Sequence, residues 1–277
     1  MDNEPSGNYA EVNGIRRYYE IHGAGRPLVL LHGAYMTIDA MGEVLPRLAE
    51  SRQVIAVELQ AHGRTADVDR PLAYESMADD VAALLRHLEV EEADVFGFSM
   101  GGGVALQVAI RHPELVRKLV VASASYTSDS MHPELLEMIP SITPEVFAGS
   151  PIETDYLRTA PNPDDFPTLV ATLKQLDMEP FAWPPEDIQG IVAPTLLIHR
   201  RGFRCRPHRA RRRAVPAARR RDGGPGGPPE VPTRGAPWDY AFHPPGSGIL
   251  DRADWLLTII PPFLDAPMPE EQGGEGV

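Results

Sequence analysis

The sequence predicts an α/β fold: a mostly parallel sheet with helices on both faces and a helical cap. Short, continuously apolar runs, which are typical of buried parallel strands, alternate with amphipathic segments of helical period. One such run leads into a Gly-x-Ser-x-Gly pentapeptide at residues 97–101, and an apolar helical segment follows at once. Strands that alternate with helices in this way need crossover connections, and right-handed crossovers produce a parallel sheet.

The composition indicates one globular domain and excludes several classes of protein. With 277 residues, 43% hydrophobic and 23% charged, the chain can form a single α/β core with an inserted cap. The net charge of −13 argues against nucleic acid as a general partner. Because Cys205 is the one cysteine, an internal disulfide is excluded and a reducing compartment is favoured.

The termini and hydropathy lead us to expect a cytoplasmic protein that does not contact membranes. Residues 1–7 are acidic and polar, unlike a signal peptide. No apolar run approaches the roughly 20 residues that cross a bilayer.

The first part of the chain supplies the antiparallel start of the sheet and two parallel strands. Asn13 and Gly14 form the strongest short signal for a β-hairpin, so two antiparallel strands are expected around them. Continuous apolar runs at 28–31 and 54–57 predict buried parallel strands. The amphipathic segment at 37–50 predicts the helix that connects these two strands.

Four further elements continue the alternation. Residues 74–88 carry apolar side chains at helical spacing and predict an amphipathic helix. Residues 94–98 predict the strand that enters the pentapeptide, and residues 104–110 predict the helix that leaves it. Residues 118–122 predict the next strand.

Residues 125–190 are predicted to form a helical cap over the C-terminal edge of the sheet, where substrates usually bind. Ten prolines break this stretch into short helical pieces, and no buried strand is recognised in it. Strand character returns at 193–198. The chain is therefore expected to divide into a first core part (1–124), the cap, and a second core part (191–277).

Ser99 is the candidate nucleophile. The turn around it is so tight that flanking side chains would clash, so glycine is required at positions 97 and 101. The strained backbone lifts the hydroxyl of Ser99 into the open at the N-terminus of the following helix, where the helix dipole and free N–H groups favour a developing negative charge. Strand, turn and helix together make a nucleophile elbow; the alternative is a chance match in a loop.

Three motifs, in order along the chain and each at a strand end, resemble those of the α/β-hydrolase family. The tripeptide His-Gly-Ala at 32–34 looks like the oxyanion-loop motif of that family. Residues 58–65 are similar to its Asp-x-x-Gly-x-Gly loop, with Glu58 and Ala61 as departures. Ser99 matches its nucleophile. The three motifs together are far more specific than any one of them.

The resemblance, which covers residues 9–198 and 249–266, implies the composition of an active site. Backbone N–H groups would form an oxyanion hole, and further residues of the same loop would contact the substrate. The residues are Ala34 and Met100 for the oxyanion hole, and Gly33 and Tyr35 as candidates for substrate binding. In the family an acid follows the strand at 195–198 and a histidine precedes the last helix.

Residues 199–247 depart from the family pattern. Residues 199–221 carry eleven arginines and no acid, and residues 223–229 are glycine and proline alone. No strand or helix period is recognised in this segment. We therefore expect the family's final helix–strand pair to be missing or disordered, and the segment to be irregular.

A shift of reading frame would explain this segment. Arginine, alanine, proline and glycine are the amino acids that a shifted, GC-rich gene encodes. Reading the codons one frame along permits loops that resemble those of the family, with Arg204 where its aspartate belongs and Ala241 where its histidine belongs. Sequencing the gene from an independent isolate tests this hypothesis, which is contradicted if the arginine run is encoded there too.

His243 is the nearest surviving candidate for the catalytic base, two residues from the expected position, with Asp239 or Asp222 as candidate acids. The alternative is an ordinary loop histidine, because a proton relay needs hydrogen-bond geometry on a rigid support. His32 and His62 belong to the loop motifs and are expected to shape turns rather than transfer protons.

Two functions remain open at this point. The first is a serine hydrolase that cleaves a small ester or related acyl substrate through Ser99 and a backbone oxyanion hole. The second is a catalytically impaired homologue that lacks an in-register acid and histidine. A nucleic-acid-binding arm is disfavoured because the arginine stretch lacks interleaved aromatic residues. We expect a small-molecule substrate and no nucleic acid, cofactor or metal; the oligomeric state stays open.

Overall fold

The computed structural model describes residues 7–130, 133–200, 238–243, 250 and 253–269. Within those residues eight strands form one sheet. The strands are β1 (Asn8–Val12), β2 (Ile15–His22), β3 (Arg26–Leu31), β4 (Arg52–Val57), β5 (Ala93–Phe98), β6 (Val116–Ala122), β7 (Thr195–Arg200) and β8 (Trp238–His243). Their order across the sheet is β1-β2-β4-β3-β5-β6-β7-β8.

The sheet is mostly parallel, which confirms the predicted fold class. β2 is antiparallel to both of its neighbours, β1 and β4, and every other described pair of strands is parallel. Asn13 and Gly14 have φ angles of 49° and 77° and form the predicted hairpin turn between β1 and β2.

Helices cover both faces of the sheet. The described helices are α1 (Val44–Ala49), α2 (Tyr74–His87), α3 (Met100–Arg111), α4 (Pro133–Met138), α5 (Pro151–Thr159), α6 (Phe166–Met178), α7 (Pro185–Gln189), α8 (Ala253–Leu256) and α9 (Ile260–Asp265). Successive residues of β3 point to opposite faces. Val29 and Leu31 are buried with α2, α3 and the cap, whereas Leu28 and Leu30 are buried with α1, α8 and α9.

The prediction of a single helix over residues 37–50 is wrong, because the segment forms two shorter helical pieces. A 3-10 turn covers Ile38–Met41, and α1 begins two residues after it. Gly42 lies between them with φ of 49°, in the left-handed region that ends a right-handed helix. Both pieces still bury their apolar side chains against the sheet.

Between β6 and β7 the described residues form the short helices α4 to α7, so this region is helical as predicted. Ser150 precedes α5, and its side chain accepts a hydrogen bond from the Glu153 N–H at 3.3 Å, which caps that helix. Arg158 on α5 pairs with Asp39 beside α1 at 2.6 Å and so links the cap to the core. The division of the chain into separate units at residues 124 and 190 stays a prediction.

The expectation of a missing final strand is wrong. β8 pairs in parallel with β7, from Thr195 opposite Trp238 to Arg200 opposite His243. β8 therefore covers the sheet edge that the missing strand would have exposed. Arg204 lies outside the described residues, as do the helix of the expected missing pair and most of the segment predicted to be irregular. Ala241 lies inside β8, where it pairs with Ile198.

Buried cations on β6 hold the last helix. The ammonium of Lys118, 1% exposed, donates to the carbonyl oxygens of Phe263 at 2.8 Å and Leu264 at 3.1 Å, at the C-terminal end of α9. Arg117 donates to the same Leu264 carbonyl at 2.9 Å and to the carboxylate of Asp94 at 2.6 Å. These bonds satisfy carbonyls that a helix end leaves unpaired. No helix in the described residues is long and apolar enough to cross a membrane.

Candidate active site

Ser99 occupies a sharp turn between β5 and α3. Its backbone has φ of 52° and ψ of −120°, a conformation that costs a residue other than glycine about 1–3 kcal/mol. The Ser99 N–H donates to the carbonyl oxygen of Ala122 on β6 at 2.8 Å and so fixes the turn to the sheet. Ser99 is half-buried, and its hydroxyl does not cap the helix that it precedes. The backbone strain predicted at this serine is therefore present.

Two glycines permit this turn. A Cβ atom on Gly97 would lie 2.1 Å from the carbonyl oxygen of Gly101. A Cβ atom on Gly101 would lie 2.4 Å from the carbonyl oxygen of His32. Both obstacles are backbone atoms, which cannot move aside as a flexible side chain can. The predicted requirement for glycine at these two positions is confirmed.

The N-terminus of α3 leaves one N–H group available next to Ser99. The Gly102 N–H donates to the Ser99 carbonyl at 2.8 Å, and the Gly101 N–H donates to the His32 carbonyl at 3.1 Å. The N–H of Met100, the first residue of α3, has no acceptor within the described part of the chain. Because it lies at the positive end of the helix dipole, it can stabilise negative charge.

The loop after β3 packs against the elbow. A Cβ atom on Gly33 would lie 3.1 Å from the ring of Phe98, the residue before Ser99, so the loop backbone packs closely on that ring. Tyr35 has a φ of 62° and turns the loop away from the strand. The N–H of Ala34 finds no acceptor among the residues that the structure describes.

His32 is a neutral structural histidine. Its Nδ1 lies 2.8 Å from the carbonyl oxygen of Gly33, and its Nε2 lies 3.1 Å from the N–H of Leu59. Because a carbonyl can only accept and an N–H can only donate, the proton is on Nδ1 and Nε2 is the acceptor. Burial, helped by the nearby His62, lowers the pKa of His32 to about 3.

His62 also hydrogen-bonds to two backbone groups, and it links its own loop to the loop after β3. Its Nδ1 lies 2.8 Å from the carbonyl oxygen of Gln60, and its Nε2 accepts the N–H of Tyr35 at 3.2 Å. Burial lowers the pKa of His62 to about 4. Both nitrogens of each histidine are therefore occupied by backbone groups, so neither residue is placed to act as a base.

The carboxylate of Glu58 is hydrogen-bonded within the loop at residues 58–65. Its buried carboxylate accepts hydrogen bonds from the backbone N–H and, at 2.7 Å, from the guanidinium of Arg64. A Cβ atom on Gly63 would lie 2.4 Å from this carboxylate, so the loop needs glycine there. Burial raises the pKa of Glu58 to about 7, although the bonds from Arg64 oppose that shift.

Aromatic residues connect the site to the cap. The ring of Tyr35 packs on Phe147 with ring centres 4.9 Å apart. The ring of Tyr74, at the start of α2, packs on Phe181 and Trp183, with ring centres 5.5 Å away in both cases. The cap therefore lies over the same end of the sheet as the loop after β3.

Sequence reasoning missed Asp177 on α6. Its carboxyl is half-buried, and burial raises its pKa to about 6. The signal was present: Asp177 follows Leu173 by four residues and so continues the apolar face of α6. An acidic residue at the end of a helix is normally assigned to the solvent side, which concealed it.

The C-terminal edge of the sheet carries both Ser99 and His243. His243 is the last residue of β8, which is parallel to β7, β6 and β5, and Ser99 follows the end of β5. The backbone of Asp239 lies four residues before that of His243, about 13 Å away along an extended strand. Asp222, the other candidate acid, lies outside the described residues.

These features agree with a comparison of the chain with protein families. The model of the family described as alpha/beta hydrolase fold matches residues 26–186. The chain belongs to the α/β-hydrolase fold family. The match runs from β3 into α7 and so includes the elbow, the loop after β3 and most of the cap.

Characterised relatives of this α/β-hydrolase differ in the reactions that their names state. The 2-hydroxymuconate semialdehyde hydrolase of Pseudomonas sp. is 40% identical over 119 residues, 42% of each chain. The soluble epoxide hydrolase of Corynebacterium sp. is 36% identical over 124 residues, 44% of this chain and 42% of the relative. The matches therefore span less than half the length of these relatives.

A solved structure supports the same fold. The meta-cleavage product hydrolase of Pseudomonas fluorescens superimposes with a TM-score of 0.54, covering 70% of this chain and 79% of the other. Its sequence is 23% identical, so this similarity shows the fold alone.

Proposed function

We propose that this α/β-hydrolase is a serine hydrolase that cleaves a small ester or related acyl substrate. The observation that carries the proposal is the strained turn at Ser99, whose hydroxyl stands at the positive end of α3. The N–H groups of Met100 and Ala34, which have no acceptor in the described segments, support the same reading, because acyl transfer needs donors for the oxyanion.

In the proposed reaction the Ser99 oxygen attacks the substrate carbonyl carbon while a base takes the hydroxyl proton. The N–H groups of Ala34 and Met100 donate to the oxygen that becomes negatively charged. The leaving alcohol departs with the proton, and water then hydrolyses the acyl-enzyme. Gly33 and Tyr35 are proposed to contact the substrate beside this hole.

His243 is the proposed base because its strand ends at the same sheet edge as the strand that precedes Ser99. A base at that edge needs an acid to hold its tautomer. Asp239 is too far along β8 to serve directly. The separation of Asp239 from His243 along β8 favours the second candidate function, a homologue with impaired catalysis that still binds ligands at the cap.

A fluorophosphonate probe separates these two functions. Such probes phosphonylate an activated serine quickly and an ordinary serine slowly. We expect fast labelling of the native chain, none for Ser99→Ala, and labelling slowed by tenfold or more for His243→Gln. The matched control is His87→Ala, which removes an exposed histidine.

Three results would decide between the readings. Fast labelling that is insensitive to His243→Gln removes that residue as the base. Labelling as slow as that of a denatured sample supports the impaired homologue. Labelling that persists in Ser99→Ala contradicts the proposed nucleophile.

A further inference from the structure

The loop after β3 contains a tight turn with a strained residue in it. The Met36 N–H donates to the carbonyl oxygen of Gly33 at 3.3 Å and closes a four-residue turn. Tyr35, the third residue of that turn, has a φ of 62°, a conformation that favours glycine or asparagine. Because a bulky side chain disfavours this backbone, contacts from outside the turn must hold it in place.

Ala34, the second residue of the turn, lies between two peptide groups, and each group is hydrogen-bonded to a histidine ring. The peptide group before Ala34 carries the Gly33 carbonyl, which accepts the Nδ1–H of His32 at 2.8 Å. The peptide group after Ala34 carries the Tyr35 N–H, which donates to Nε2 of His62 at 3.2 Å. The two rings are buried, with their centres 5.1 Å apart. They therefore support the turn from the interior of the protein.

The hydrogen bond from His32 fixes the direction of the Ala34 N–H. A trans peptide group is planar, so this N–H points away from the Gly33 carbonyl and from the ring bonded to it. Nowhere in the described ranges does the Ala34 N–H find an acceptor. The carbonyl of His32 also accepts the Gly101 N–H of α3 at 3.1 Å, which ties the same loop to the elbow. The proposed oxyanion donor is thus oriented by a buried side chain on the opposite side of its peptide group.

Each ring makes these bonds in only one of its tautomers. The Leu59 N–H donates to Nε2 of His32 at 3.1 Å and so leaves the proton on Nδ1, which faces Gly33. The carbonyl oxygen of Gln60 lies 2.8 Å from Nδ1 of His62, so that ring also carries its proton on Nδ1 and accepts at Nε2. Adjacent residues of one loop therefore set both tautomers.

We propose that His32 and His62 are positioning residues that orient the oxyanion donor of Ala34, His32 by donating from Nδ1 and His62 by accepting at Nε2. The inference rests on the proposed function, because it takes the Ala34 N–H to stabilise the oxyanion. It differs from simple filling of space, for which the volume of each ring matters and the position of its nitrogens does not.

Asparagine and glutamine substitutions separate the two ring nitrogens. The amide of asparagine reaches the position of Nδ1, and that of glutamine reaches the position of Nε2. We therefore expect opposite orders at the two sites. With a fluorophosphonate, His32→Asn should label about tenfold faster than His32→Gln, and His62→Gln about tenfold faster than His62→Asn. The loss should fall on the phosphonylation rate constant and leave the binding constant of the probe within about threefold, because an oxyanion donor acts in the transition state.

The matched controls are His87→Asn and His87→Gln, which make the same changes at an exposed position and should both label like the native chain. Circular dichroism and thermal unfolding establish which variants fold. The proposal is overturned if the same amide is the better one at both sites, or if the two amides are equivalent at either site.

Two measurements that need no catalysis complete the test. Nitrogen-15 NMR of the native chain at pH 7 should show both rings neutral with the proton on Nδ1, and a proton on Nε2 of either ring overturns the proposal even if no variant folds. Hydrogen exchange of the Tyr35 N–H should be about tenfold faster in His62→Asn than in His62→Gln. A native chain that no fluorophosphonate labels, with these NMR and exchange results intact, would contradict the proposed hydrolase function and leave the support of the turn established.

Discussion

Replacement of His62 tests whether neutral histidines hold the loop after β3. Burial lowers the pKa of His62 from 6.5 to about 4, which corresponds to about 3 kcal/mol of folding free energy. The unfolded chain binds this proton below pH 6.5, whereas the folded chain binds it only near pH 4. The stabilising contribution is therefore complete above pH 6.5 and is lost as the pH falls toward 4.

Two substitutions isolate that contribution. His62→Gln does not titrate and can still accept the Tyr35 N–H, so its stability lacks this pH dependence. We expect the difference in free energy of unfolding between native chain and His62→Gln to shrink by about 3 kcal/mol between pH 7 and pH 4. His62→Ala leaves the partly buried Tyr35 N–H without an acceptor and opens a cavity, which should cost about 2–4 kcal/mol at pH 7.

Urea unfolding monitored by tryptophan fluorescence at several pH values measures these quantities. His32 titrates in all of the proteins, so its contribution largely cancels from the differences. The exposed His87→Ala variant should parallel the native chain at every pH. If the native chain and His62→Gln show parallel stability from pH 7 to pH 4, the assignment of His62 as a neutral acceptor is refuted.

Three further predictions concern other parts of the site and core. Gly97→Ala should prevent the elbow from forming, so that the protein either fails to fold or loses fluorophosphonate labelling. Gly149→Ala, which meets no atom within 4 Å and carries only the strain of a φ of 72°, should retain the labelling. A labelled Gly97→Ala protein would contradict the steric argument. Lys118→Met should cost about 2–4 kcal/mol in urea unfolding, because the Phe263 and Ala266 carbonyls lose this donor and the Leu264 carbonyl keeps only Arg117; an unchanged midpoint would show that the Lys118 bonds add nothing. Glu58 has a raised pKa, so its folded form binds the proton up to about pH 7 and its contribution to stability is lost as the pH rises through 7. Glu58→Gln should therefore gain up to about 3 kcal/mol relative to the native chain between pH 5 and pH 8, and an unchanged difference would contradict the shift.

Local signals predicted the parts of the site that depend on neighbouring residues. The spacing of Gly97 and Gly101 around Ser99 specifies a turn that only glycine permits, and the apolar runs specify strands buried on both faces. Gly42 was such a signal too, but the helical period across it concealed the break that its left-handed backbone imposes.

Features that depend on distant parts of the chain were harder to predict. Residues 238–243 alternate Trp, Tyr and Phe with Asp, Ala and His, which is a strand period, but their glycine- and proline-rich setting hid it. Asp177 is half-buried because the apolar face of α6 packs into a core that distant segments of the chain build together. No window of sequence around position 177 contains that information.

The attachment of α9 to Lys118 and Arg117 has a consequence for the covalent continuity of the protein. Arg117 and Lys118 on β6 hydrogen-bond to α9, and these bonds do not depend on the covalent linkage between residues 200 and 238. β8 is held separately, by its backbone pairing with β7. Two polypeptides, one ending at residue 200 and the other starting at residue 238, should therefore reassemble when they are produced together. The α/β-hydrolase core could then be studied as a complemented pair, with the arginine-rich stretch removed altogether.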